Sequence, residues 1–213
     1  MDPHPMHRLH TLRMENDAAG YAMAEIRPRF EKLKTRHEDG TAPQAVSAYQ
    51  LFQTPADLAA ELVALLDLQP GARVLEPSAG LGRLLDALAP KAPSAVVAVE
   101  IAPACAGVLF QQDRAGISIR QADFLKLAPA ELGLFDAIVM NPPFHARTDI
   151  RHILHAMKFL KPGGRLAAIC MAGNSRELAL RHFAKSWIPL PPGAFRAEGT
   201  NTPTVMLRID QPL

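Results

Sequence analysis

The sequence predicts an α/β domain built on a doubly wound parallel sheet with helices on both faces. Two observations carry that reading. From residue 54 onward, strand-like and helix-like segments alternate repeatedly, which is the order that βαβ units impose. The strand-like segments, such as Ala95–Val99 and Phe135–Met140, are continuous apolar runs rather than apolar/polar alternations. Such runs are expected where a sheet is buried on both faces.

The elements follow in order. Residues 5–38 carry Met14, Ala18, Tyr21, Ala22, Ile26, Phe30 and Leu33 at spacings of three and four, one face of a helix, with Pro28 bending or breaking it. Glu38-Asp39-Gly40 and Pro43 then mark a loop, so the expected organisation is a helical extension over 1–45 and a larger domain over 46–213. Thr54-Pro55 opens a helix with Thr54 as its N-cap, and Leu58, Leu62 and Leu65 line one face. After Pro70-Gly71, residues 73–76 form a short strand, 81–88 a helix, 95–100 a strand, 102–114 a helix and 117–119 a strand. A strand over 135–140 follows, then a helix carrying Ile150, Ile153, Leu154, Met157 and Leu160. Pro162-Gly163-Gly164 turns the chain into a strand over 165–171; 175–185 is helical, and 204–209 is a final strand.

With 213 residues, 48% apolar and 21% charged, the chain has an ordinary globular composition. No apolar run approaches the roughly 20 residues of a membrane helix, and residues 1–14 lack the apolar stretch of a secretory signal. Cys105 and Cys170 sit in apolar settings and read as packing in a reducing cytoplasm. Charge is uneven. Residues 144–213 hold 10 Lys and Arg against 4 Asp and Glu, a tilt that suits either a polyanionic partner or a solvated helical surface.

Four segments carry chemistry, each at a predicted strand end, where ligands of such sheets bind. The first is Glu76-Pro77-Ser78-Ala79-Gly80-Leu81-Gly82. Gly80 and Gly82 let backbone approach a ligand. The pattern is neither the dinucleotide fingerprint nor a phosphate-binding loop, and the acidic Glu76 suits a cationic ligand. The second is Glu100, 18 residues beyond Gly82, placed to accept from ribose hydroxyls. The third is Asp123-Phe124, a carboxylate for an adenine amine beside a ring that stacks. The fourth is Asn141-Pro142-Pro143-Phe144. Its prolines remove two N–H donors, so the turn offers carbonyls and the Asn141 amide oxygen, followed by the Phe144 ring. Two acceptors holding the hydrogens of a planar amine localise its lone pair toward an electrophile.

Together these residues resemble the class I S-adenosylmethionine-dependent methyltransferases, in the branch that carries an Asn/Asp-Pro-Pro-aromatic motif. The resemblance covers about residues 50–210. Phe52-Gln53-Thr54-Pro55 and Glu76-Pro77-Ser78-Ala79-Gly80-Leu81-Gly82 are similar to segments of gamma-class N6-adenine DNA methyltransferases and of the modification subunits of type I restriction systems. The resemblance implies a Rossmann-like, mostly parallel seven-stranded sheet whose last strand is antiparallel. It implies a cofactor held by Thr54, Glu76, Ser78, Gly80, Gly82, Glu100, Ile101, Asp123, Phe124 and Asn141. Asn141, Pro142 and Phe144 would act on the target amine, with Pro143, Phe144 and Phe195 against the base and no metal involved. It implies N6-adenine methylation of a nucleic acid, DNA before RNA. The same motif also serves RNA adenine and protein glutamine methyltransferases, and a non-catalytic nucleic-acid-binding subunit could keep the same shell. No segment is long enough to be the target-recognition domain of the DNA enzymes, so a specificity subunit or self-association is a further expectation.

Overall fold

The computed structural model describes residues 53–213. The expected extension over 1–45, with its helical stripe, lies outside them, as does the boundary at 46. The described residues fall within the unit Val46–Leu213.

Seven strands form one sheet in the order β3-β2-β1-β4-β5-β7-β6. Helix α1 (Ala56–Ala64) leads into β1 (Arg73–Glu76), then α2 (Arg83–Leu88), β2 (Ala95–Glu100), α3 (Pro103–Gln111) and β3 (Ile117–Gln121). A short α4 (Pro129–Leu132) precedes β4 (Phe135–Met140), α5 (Thr148–Ala156), β5 (Leu160–Met171), α6 (Asn174–Leu180), β6 (Ala184–Pro189) and β7 (Thr204–Asp210). The pairs β1–β2, β1–β4, β2–β3 and β4–β5 are parallel. Strand β7 runs antiparallel to both β5 and β6, as the family resemblance implies.

Strand side chains alternate between two cores, one on each face. Val74, Ala137 and Val139 face one core with Leu58 and Leu62 of α1 and Leu84, Leu85 and Leu88 of α2. Leu75, Ile138 and Met140 face the other with Ile153 and Ala156 of α5 and Leu180 of α6. Positions of the central strands β1 and β4 thus meet a helix on either face, so those runs are largely apolar. Fully buried leucines such as Leu62 and Leu85 each contribute about 1.5–3 kcal/mol. Cys105 and Cys170 are buried and unpaired, and burial pushes the Cys170 thiol up to about 12, which leaves it inert. Among the described residues, no helix is long and apolar enough to cross a membrane.

The structure corrects several expectations. Thr54 does not cap α1. The N-cap is Pro55, with no side-chain bond, and the Thr54 hydroxyl accepts from Asn141 instead. Helix α6 ends at Leu180, not near Lys185, since Leu180 is its last fully buried apolar residue. The chain then forms β6, which the sequence reading missed. The glycine turn Pro162-Gly163-Gly164 is an irregularity inside the longer β5, with Gly163 at φ +72°.

Candidate active site

A cavity of about 330 Å³ lies beyond the C-terminal ends of β1 to β4. That is where strand order reverses, with β2 and β3 to one side of β1 and β4 and β5 to the other. Its size falls within the roughly 300–1,000 Å³ of small-molecule sites. Twelve of the residues singled out from sequence line it: Thr54, Glu76, Ser78, Gly80, Glu100, Ile101, Asp123, Phe124, Asn141, Pro142, Pro143 and Phe144.

Strand β1 delivers Glu76 to the cavity floor. Its side chain is 1% exposed, and its Oε2 is buried without a hydrogen-bond partner. Burial, and then the nearby Glu100 carboxylate, raise its pKa well above the usual carboxylate range. A buried carboxyl of this kind is costly to ionise alone and gains most from a cationic ligand. The following turn is strapped to β2. The Gly80 N–H donates to Glu100 Oε2 at 2.7 Å, and the Ala102 N–H to Glu100 Oε1 at 2.7 Å. Both oxygens of Glu100, a residue of the cavity wall, therefore hold backbone.

Gly82 is a correction. It stands behind the turn, not on the cavity wall, at φ +90°, where an added Cβ would sit 2.9 Å from Leu109 Cδ2. Its role is to let the turn enter α2 against α3. Asp123 caps the short helical turn after β3 by accepting from the Leu125 N–H at 3.1 Å. Phe124 is 2% exposed and packed against His155 and Phe159, with ring centroids 5.0 and 5.2 Å apart. Ile101 is 45% exposed, an open apolar face beside Glu100.

The loop after β4 brings Asn141 to Thr54, whose hydroxyl accepts from Asn141 Nδ2 at 3.1 Å. The Phe144 ring meets Phe195 edge-on, with centroids 6.3 Å apart at 87°. Phe195 is 1% exposed and absent from the cavity wall. It backs Phe144 from the core, which corrects its expected place against a substrate.

Among the lining residues that the sequence did not point to are His152, Arg151 and Arg83. His152 lies on α5, with Nδ1 3.3 Å from Ser78 Oγ. Burial depresses its imidazole to about 4, against an opposing pull from Asp123, so it is neutral at pH 7. A depressed folded-state value stabilises the fold above the unfolded value near 6.5, and that contribution is lost as pH falls through the folded value. Stability is therefore expected to fall by about 3 kcal/mol between pH 6.5 and pH 4 on this account. In His152→Gln that part of the decline should vanish, which denaturant titrations across that window would show. An equally steep decline in the variant would assign the acid sensitivity elsewhere.

Half of the basic residues of the C-terminal third are paired. Lys161, Arg165, Arg176, Lys185 and Arg208 each pair with a carboxylate. Of the remaining five, Arg151 lines the cavity.

A model of the methyltransferase small domain family matches residues 53–186. A protein of Methanosarcina mazei assigned as ribosomal RNA small subunit methyltransferase A is 37% identical over 112 residues, which is 52% of this chain and 40% of that protein. The matched stretch thus spans about two fifths of the length of the curated relatives. TrmN from Thermus thermophilus is similar over 79% of this chain and 52% of its own, at a TM-score of 0.60 and 22% identity. The N-methyltransferase NodS from Bradyrhizobium japonicum, in complex with S-adenosyl-L-homocysteine, is similar over 78% and 92%, at 0.59 and 19%. These structures share the fold.

Proposed function

The chain belongs to the methyltransferase small domain family, and from that premise we propose that it is an S-adenosylmethionine-dependent enzyme whose acceptor is the N6 amine of adenine in a nucleic acid. One observation carries this reading. The Asn141-Pro142-Pro143-Phe144 loop lines the same cavity as the carboxyl groups Glu76, Glu100 and Asp123. In this reading a cofactor site and an acceptor site for a planar amine adjoin.

The residues fit the cofactor. Glu76 answers a cationic amino-acid moiety, and its partnerless Oε2 is the group that gains from one. Glu100 accepts from ribose hydroxyls with the lone pairs its two backbone amides leave over, Asp123 accepts from the adenine amine, and Ile101 covers the adenine face. When bound, the cofactor supplies a sulfonium methyl, an electrophile that needs no further activation. The protein's task is then placement and exclusion of water. Thr54 fixes the Asn141 amide, and the Asn141 oxygen and Pro142 carbonyl accept the hydrogens of the target amine. Phe144, braced by Phe195, stacks on the base. A paired adenine must first leave its helix, which costs a few kcal/mol.

The curated relatives, assigned to ribosomal RNA, support RNA as strongly as the motif resemblance supports DNA. The test offers methyl-labelled cofactor with RNA, with unmethylated DNA and with protein extract. Label is expected in nucleic acid. Label in protein alone would replace adenine by the side-chain amide of glutamine.

A further inference from the structure

A buried ion pair anchors the far end of the acceptor loop. Asp149, on the first turn of α5, is 0% exposed, and Arg176, on α6, is 9% exposed. Arg176 Nε donates to Asp149 Oδ2 at 3.0 Å and Nη2 to Oδ1 at 3.1 Å, a bidentate pairing. The same Nη2 donates to the Phe144 carbonyl at 3.3 Å. Asp149 Oδ2 also accepts from the Met171 N–H, 3.2 Å away at the end of β5. One guanidinium and one carboxylate thus tie the last residue of the loop to α5, α6 and β5. Neither side chain lines the cavity.

The backbone just beyond this anchor is strained. Ala146 and Arg147 have φ of +48° and +60°, values that residues with a Cβ adopt only where surroundings compel them. Fold stability alone does not call for the ion pair. Apolar residues of similar volume usually replace such pairs without loss, whereas removing a single partner is costly. What an apolar pair cannot supply is a directed bond to the Phe144 carbonyl.

We propose that Arg176, oriented by Asp149, is a positioning residue for methyl transfer that fixes the Phe144 carbonyl and thereby the placement of Asn141 and Phe144. The proposal rests on the reading of this loop as the acceptor site. A shift of the loop by a fraction of an ångström misaligns amine and methyl without touching the cofactor.

The test compares Arg176→Lys and the double variant Asp149→Leu/Arg176→Met with the wild type. The double variant leaves no buried unpaired charge. Asp149→Asn, which keeps the side-chain shape, serves if the double variant is unstable. Hydrogen exchange over residues 141–148 should quicken about tenfold while β4 is unchanged. Cofactor affinity should hold, and kcat at saturating cofactor should fall about 10- to 100-fold, with Arg176→Lys the milder. Unchanged exchange in the loop of a folded variant, or unchanged kcat in its folded fraction, would overturn the proposal. Should the wild type methylate no nucleic acid, the acceptor reading fails, and the exchange result still decides whether the pair holds the loop.

Discussion

Replacing Asn141 by alanine is expected to raise the barrier to methyl transfer by about 2–4 kcal/mol, the effect of deleting one preorganised polar contact at a reacting centre. The amide nitrogen of Asn141 is engaged by the Thr54 hydroxyl at 3.1 Å, which leaves the carbonyl oxygen as the amide's acceptor end. Cofactor affinity should change little, because in the proposed reading Glu76 and Glu100 on β1 and β2 hold the cofactor. Thr54→Val, which removes the orienting hydroxyl but keeps the shape, should cause a smaller loss of the same kind. Asn141→Asp keeps an acceptor and should keep activity in part. Single-turnover transfer measured beside calorimetric affinity separates these outcomes. Wild-type transfer by Asn141→Ala would make the loop structural.

Replacing Glu100 by alanine is expected to damage stability and cofactor binding together. Its two oxygens accept the Gly80 and Ala102 amides, both at 2.7 Å, from a side chain that is 5% exposed. Alanine leaves both donors without a partner, at about 2–5 kcal/mol in all. The Gly80 turn also loses its strap, so cofactor affinity should fall by more than a lost ribose contact alone would cause. Glu100→Gln, with one acceptor oxygen kept, should fall between. Denaturant titration and calorimetry on the three proteins decide the matter. A Glu100→Ala protein as stable as the wild type would show that the strap contributes nothing.

The central strands that build the site were legible because they are short, apolar and buried on both faces, as Phe135–Met140 illustrates. Strand β6 was not. Its residues 184–189 are half-buried or exposed at the sheet edge, so neither alternation nor an apolar run marks it, and only the resemblance implied a seventh strand. The cavity wall was legible where its residues are contiguous, as in 76–80 and 141–144. His152 and the Asp149–Arg176 pair were illegible because each acts across the fold. Nothing local relates His152 to Ser78, 74 residues away, or Arg176 to Phe144, 32 residues away. Phe195 shows the converse error. An aromatic residue in a loop-like stretch reads as a binding surface, yet its ring is part of the core behind Phe144. The basic balance of residues 144–213 does not tell which charges are engaged within the fold: five of the ten pair with carboxylates, among them those of the earlier residues Asp67 and Asp136.

The most direct test of adenine as the acceptor is nucleoside mass spectrometry of RNA and DNA after incubation with the purified chain and S-adenosylmethionine. N6-methyladenine is the expected product, present with the wild type and lost with Asn141→Ala. Methylation confined to glutamine would contradict adenine as the acceptor, and methylation of a ring carbon or hydroxyl of the nucleic acid would contradict an amine held by the Asn141-Pro142-Pro143-Phe144 loop.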